Sequence, residues 1–369
     1  MAHPQQIVEL SQRIGEIAEQ KIARINKINR ATSYLALNAL IEASRAGSAG
    51  DGFGVVAREV KRVSGEITQL SGELAHDLAA EVQRLGVLGD AVLERMEAQQ
   101  GQRLTDLALN MIDIIDRNLY ERSCDVRWWA TDSAVVAAVE QRNRDAAAFA
   151  STRLGVILDS YTVYLDLWVV DADGNVLANG RPSRYPRVMG ANVRGQAWFE
   201  RAMATSSGQD FASTDIETQD RLNDALVATY STAIRAGGAV DGQRLGVLAI
   251  FFDWQAQAKA VVEGVKFTQE ERGRARAMLI DSKLRVIASS DEQGVLEETV
   301  TLNHRGRPLG FVRKEDGTLI GFAKTPGYET YRGMGWYGMI SLAPPSSTEP
   351  AHAAEPGAAE PQDAAAVAE

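Results

Sequence analysis

Phe53, Val56, Val60, Val63, Ile67, Leu70 and Leu74 step by alternating threes and fours, the spacing of an apolar seam in a coiled coil. The drift continues through Leu78, Val82, Leu85, Leu88, Val92 and Met96. Upstream, Ile7, Leu10, Ile14, Ile17, Ile22, Ile25, Ile28 and Leu35 form a matching, shorter stripe. No proline occurs between Pro4 and Pro182, so nothing in that span costs a helix its interior hydrogen bonds. Between the stripes lie Gly47, Gly50, Gly52 and Gly54. The pattern predicts an antiparallel helical hairpin over residues 1–100, with arms at 5–46 and from 52 onward and a bend near 47–52. At about 1.5 Å per residue the first arm is roughly 60 Å long and covers the second to about residue 93. Two such helices leave a side unburied. The hairpin is expected to dimerise into a four-helix bundle, or else to pack on the rest of the chain.

From about residue 150 the period changes. "VYLDLWVVDADGNVLANG" (163–180) is a strand–turn–strand signal, and "RLGVLAIFFDW" (244–254) reads as a buried strand. "MLIDSKLRVIAS" (278–289) echoes the first unit: Val169-Val170-Asp171 aligns with Leu279-Ile280-Asp281, and Val176-Leu177-Ala178 with Val286-Ile287-Ala288. The echo predicts two related modules in tandem, the second ending in three short strands within "PLGFVRKEDGTLIGFAKT" and "GWYGMISL". The fold class is therefore α+β: the hairpin, a long helix over 101–150, a first module over 151–265 and a second over 266–342. Residues 343–369, rich in Ala, Pro and Glu, are expected to be disordered.

Composition narrows the function. Acidic residues outnumber basic ones by 49 to 39, a poor balance for a nucleic-acid binder. One cysteine, Cys124, excludes an internal disulfide framework and suits a reducing compartment. No signal peptide and no apolar run near 18 residues is visible, so a cytoplasmic protein without a membrane span is expected. Of four histidines only His304 lies among expected strands, and no HExxH, CxxC or GxxxxGK[ST] occurs. No enzyme, no metal and no cofactor is expected. "GFGVVA" follows a helix instead of a strand, which argues against a dinucleotide site.

"INKINRATSYLALNALIEASRAGSAGDGFGVVAREVKRVS" (25–64) resembles the signalling tip of methyl-accepting chemotaxis receptors, without gaps over about forty residues. The resemblance implies that the tip docks on the chemotaxis histidine kinase and its coupling protein, and that hairpin dimers gather into trimers. By position it implies contacts from Leu37, Asn38, Ile41, Glu42, Arg45, Phe53 and Val55. Glu42 and Arg45 could pair with each other or with a partner. Arg30, Tyr34, Ser48 and Asp51 depart from the family's pattern. A hairpin that only oligomerises is the alternative.

"MIDIIDRNLYERSCDVRWWATDSAVVAAV" (111–139), the strands from 163 and "GANVRGQAWFERAMATSSGQDFASTDI" (190–216) resemble a double Cache sensor domain. The resemblance implies two PAS-like modules, with a small-molecule ligand held in the first. It assigns Trp198 and Phe199 to the family's aromatic pair, places Gln196 where amino-acid binders carry an arginine, and puts Asp215 and Asp253 where carboxylates meet a ligand amine. Arg194 or Arg184 could replace the missing arginine. An amine-bearing ligand is expected. Asp253 could equally cap a helix. Trp128 and Trp129 could be packing or ligand contacts, and Cys124 a redox thiol or an inert one.

Overall fold

The computed structural model describes residues 4–345, with side chains from Glu9. The side chain of Ile7 and the expected tail beyond Pro345 lie outside the described residues. The chain divides into two compact units, Met1–Gln100 and Gly101–Glu369.

In the first unit α1 (Pro4–Arg45) reaches a 3₁₀ turn at Gly47–Gly50, and α2 (Asp51–Trp129) begins at once. Gly47 has φ +57°, and a Cβ on Gly50 would run into the Ala43 carbonyl, so the reversal needs glycine at both. The helices run antiparallel: Asn29 Nδ2 donates to Ser64 O (2.7 Å) and Thr68 Oγ1 (2.8 Å), while Gly54 lies beside Ala43. Their mutual seam is built, apart from Ile22, of small and polar residues at heptad steps, Ala57, Ser64 and Ser71 facing Ile22, Asn29 and Ala36. The large apolar stripe lies outside this seam; Phe53 is 76% exposed and Leu70 63%. Ile25, Ile28, Val60, Val63 and Ile67 line an open groove of about 340 Å³ along the hairpin.

In the second unit Leu104, Ala108, Ile112, Ile115, Leu119 and Val126 of α2 are buried. The single helix expected over 101–150 is three helices. Asp132 accepts from Ala134 N (2.8 Å) to cap α3 (Ser133–Gln141), and Asn143 accepts from Ala146 N (2.8 Å) to cap α4 (Arg144–Ser160). Each cap side chain offers the backbone a better partner than helix continuation does.

Two antiparallel sheets follow. The first has the order β2-β1-β6-β5-β3, with β4 also on β5. Its strands are β1 (Tyr164–Asp171), β2 (Val176–Asn179), β3 (Ala212–Ser213), β4 (Glu217–Gln219), β5 (Ala225–Arg235) and β6 (Arg244–Asp253). Helices α5 (Ala197–Met203) and α6 (Trp254–Glu263) are interleaved in sequence. The second sheet has the order β8-β7-β11-β10-β9, from β7 (Ala275–Ile280), β8 (Val286–Ser289), β9 (Leu309–Arg313), β10 (Leu319–Lys324) and β11 (Tyr337–Leu342).

The internal echo is a structural repeat. Val169 pairs with Ala178 and Val170 with Val176; Leu279 pairs with Ala288 and Ile280 with Val286, with a register shift at the same step. Asp171 accepts from Asp173 N and Asn175 N, as Asp281 does from Lys283 N and Arg285 N, all at 2.8–2.9 Å. The main core lies between α2, α3, α4 and α6 and one face of each sheet. A second cluster fills the other face of the first sheet, under α5. The α+β architecture of a helical hairpin and two tandem α/β modules is the one the sequence predicts.

Candidate functional site

At the hairpin tip Leu37, Asn38, Ile41, Phe53 and Val55 are all exposed. Glu42 and Arg45 sit three residues apart on one helix face and pair with each other at 2.8 Å, with side chains 68% and 73% exposed. An exposed pair of this kind is worth at most about 1 kcal/mol, so it opens readily toward a partner. The tip presents an apolar patch beside an exchangeable ion pair.

In the first module Trp198 and Phe199 are buried on the inward side of α5. Trp198 meets Trp168 edge-on (6.2 Å between centroids) and Phe251 (5.8 Å), and Trp168 lies 4.1 Å from Phe251. Gln196 is the exposed residue preceding α5 and makes no side-chain cap bond; Arg194 is exposed beside it. Asp215 lies elsewhere. It accepts from Trp336 Nε1 (3.1 Å) in the second module, and Trp336 packs edge-on against Trp254 (5.2 Å). Asp253 accepts weakly from Ala256 N (3.4 Å), capping α6.

Strand register nevertheless puts Asp253 on the face beneath α5. Val227 belongs to the cluster around Trp198, and Ser231 Oγ donates to Trp198 O (2.8 Å). Thr229 falls between them and opposite Phe251, so it shares their face. Glu217 lies opposite Val227, which lies opposite Asp253, giving one cross-strand row of Glu217, Val227 and Asp253. Trp198 Nε1 and Thr229 Oγ1 are buried on this face with no hydrogen-bond partner among the described residues. Thr214 and Glu217 sit near each other without completing a hydrogen bond, and burial raises the Glu217 carboxyl above its usual range. Buried polar atoms normally find partners, so these unpartnered groups mark the corner as the candidate ligand site.

Sequence reasoning placed Trp198, Phe199 and Asp253 on this face but missed Thr229 and Glu217. The available signal was polar Thr229 and Ser231 within an otherwise apolar strand. Asp166 is also fully buried, but it is satisfied: Leu167 N, Trp168 Nε1, Asn179 Nδ2 and Arg181 N all donate to it at 2.7–3.0 Å. Its carboxyl, raised by burial, ties the start of β1 to the end of β2.

Two polar tethers hold α2 against the modules. Tyr164 Oη donates to Asp125 Oδ2 (2.5 Å), and Arg122 lies 3.4 Å from the same oxygen and over the Tyr164 ring. Asp116 accepts from Thr325 Oγ1 and from Gly327 N (2.8 Å) in the second module. Of the residues flanking Cys124, Arg127 donates weakly to its Sγ (3.5 Å). Trp129 is buried and Trp128 exposed, so only the first packs as expected.

Residues 2–144 match the methyl-accepting chemotaxis protein signalling domain. The chain is 43% identical over 103 residues to transducer protein Htr18 of Halobacterium salinarum, covering 28% of this chain and 12% of that protein. It is 38% identical over 112 residues to methyl-accepting chemotaxis protein IV of Escherichia coli, covering 30% and 18%. It is 37% identical over 108 residues to the biofilm dispersion protein BdlA of Pseudomonas aeruginosa, covering 29% and 23%. The chain thus spans under a quarter of the length of each of these relatives. Among solved structures, the fold resembles the sensor domain of the V. cholerae histidine kinase DctB, with TM-score 0.50 and 11% identity over 68% of this chain and 99% of that one. It also resembles the ligand-binding domain of the Campylobacter jejuni chemoreceptor Tlp3 in complex with L-norvaline, with TM-score 0.50 and 16% identity over 70% and 97%. Among the described residues no helix is long and apolar enough to cross a membrane.

Proposed function

We propose that this chemoreceptor-like chain is a double Cache sensor coupled to a signalling hairpin that controls a chemotaxis histidine kinase through its coupling protein. The observation that carries the reading is the tip. Leu37, Ile41, Phe53 and Val55 stand exposed around an ion pair that costs little to break, on a segment matching the signalling domain. The exposed stripe and its groove support a homodimer, since Val60, Val63 and Ile67 have no other cover within the hairpin. The test is capture of purified kinase and coupling protein by wild type and by Glu42→Ala/Arg45→Ala. Because the pair contributes so little stability, lost binding would reflect docking and not unfolding. Equal capture by both proteins would sink the tip assignment and leave the hairpin as an oligomerisation device.

The ligand reading rests on the face beneath α5. Trp198 Nε1 and Thr229 Oγ1 offer a donor and a hydroxyl, and Glu217 and Asp253 bracket Val227 with carboxylates. Such a corner suits a small amine-bearing molecule, its ammonium between carboxylates and its polar end on the unpartnered groups. The Tlp3 domain was solved with L-norvaline, itself an amine. Calorimetric titration of an amine panel should give at least one saturable ligand whose affinity drops about tenfold or more in Glu217→Gln. An unchanged affinity there would remove Glu217 from the site.

A further inference from the structure

Among the described residues of the second unit Trp128 is the most exposed large aromatic, 68% exposed at the C-terminal end of α2, ahead of Phe149 at 57%. Its neighbour Trp129, about 100° further around the helix, turns inward and packs edge-on against Tyr161 (5.2 Å) and Tyr164 (5.4 Å). Trp128 instead walls a cleft of about 350 Å³ between the end of α2 and the C-terminal half of α4. Tyr161 and Val156 line it too, both exposed, and Arg153 and Asp132 stand at its polar part. Asp132 is committed by its Oδ1 to the α3 cap, and its Oδ2 meets Arg153 Nη2 only at 3.4 Å. Among the described residues its guanidinium makes no other hydrogen bond or ion pair, which leaves most of the fork available.

We propose that this cleft is a second small-molecule site, distinct from the face beneath α5, and that it takes a compact planar aromatic carboxylate. The volume falls in the range of ligand pockets, about 300–1,000 Å³. An aromatic ring stacks on Trp128 against the fixed Trp129–Tyr161 pair, and the carboxylate takes the bidentate geometry that a guanidinium fork fits best. Val156 covers the ring's apolar edge. The charge pattern selects the class: one weakly engaged cation beside an already committed carboxylate favours an anion over a cation. A ligand here would touch the last turn of α2 directly, three residues after Asp125, so it would bear on the helix that the first sheet holds through Tyr164.

The test uses the full chain labelled with 5-fluorotryptophan, whose Trp128 and Trp198 resonances are assigned by Trp128→Phe and Trp198→Phe. Benzoate and phenylacetate are the probes, with cyclohexanecarboxylate and benzyl alcohol as controls. The proposal expects a saturable shift of the Trp128 resonance with benzoate or phenylacetate while Trp198 stays still, and an affinity about tenfold or more weaker in Arg153→Gln and for both controls. No Trp128 shift at tens of millimolar probe overturns it, as does equal binding by Arg153→Gln. A Trp128 resonance that moves with protein concentration alone also overturns it, because a second copy would then cover the patch. A shift confined to Trp198 would support the α5 face and reject this cleft, so the two readings fail separately.

Discussion

Tyr164→Phe isolates one hydrogen bond on which the seating of α2 depends. The ring would remain, edge-on to Trp129 (5.4 Å) and Phe252 (6.3 Å) and under Arg122 (4.9 Å), so packing is conserved. What disappears is the hydroxyl that donates to Asp125 Oδ2 at 2.5 Å. Asp125 is 8% exposed, so the lost bond is not replaced by bulk water. A hydrogen bond to a buried carboxylate contributes about 1.5–3 kcal/mol, and Arg122 at 3.4 Å recovers part of it. A loss of about 2 kcal/mol is expected, or roughly 4–8 °C in the unfolding midpoint of a unit this size. All six tryptophans, from Trp128 to Trp336, lie in the second unit, so tryptophan emission reports its unfolding alone. The pH dependence gives a second readout. Burial is the largest influence on the Asp125 carboxyl and raises it, while the Tyr164 hydroxyl and Arg122 pull it down. An acid raised on folding holds its proton longer in the folded state. Its contribution is therefore complete below the unfolded value of about 4 and declines as pH climbs toward the raised one. Removing the hydroxyl removes a downward pull, so the variant's deficit should widen as pH rises from about 4 toward neutrality. A deficit under about 0.5 kcal/mol, or one independent of pH, would refute the tether.

Three further outcomes are expected. Gly338→Ala should destabilise the second unit by more than about 2 kcal/mol in urea titrations followed by tryptophan emission, because a Cβ there collides with the Ala108 carbonyl of α2. Asp215→Ala should cost about 1–3 kcal/mol by leaving buried Trp336 Nε1 without its acceptor, and should leave ligand affinity unchanged in calorimetry, since Asp215 faces the second module. Val60→Asp/Ile67→Asp should shift the protein to a monomer in sedimentation velocity with little loss of helical circular dichroism, because both residues line the open groove and not the intrachain seam.

Where local chemistry decides the structure, the sequence was readable. The glycine cluster placed the bend, and Asp171 and Asp281 marked two turns that proved to share register and hydrogen bonding. The apolar stripe was visible, but not which side of the hairpin it would occupy. Apart from Ile22, the true seam is Ala, Ser and Asn, residues that carry little hydrophobic signal. The break after Trp129 was missed because Asp132 and Asn143 read as ordinary surface polar residues until their caps are seen. In the site, Trp198 and Asp253 share a face, but Asp215 points the other way. Asp215 lies between β3 and β4, outside both strands, so strand alternation does not fix its face. Glu217 entered through cross-strand register, which no single strand's sequence encodes.

The two tethers define what motion of α2 the second unit allows. Asp125 ties the helix to the first sheet, and Asp116 ties it to the second through Thr325 and Gly327. The two carboxylates are nine residues apart, roughly 13 Å along the axis. A slide along that axis would break both tethers together and lift Ala108 and Leu104 out of the bed cleared by Gly338 and Gly321. Of the two tethers, a tilt pivoting on Asp116 would break only the bond at Tyr164, at a cost of at least about 2 kcal/mol. A ligand acting through such a tilt must prefer the tilted state by a factor of at least about thirty to offset that cost. The tilt has a distinct signature. Tyr164→Phe would mimic ligand by moving the resting population toward the tilted state, whereas Thr325→Val, which loosens the pivot, would lower stability without biasing output. If both substitutions shifted output in the same direction, the helix would have to move as a piston instead.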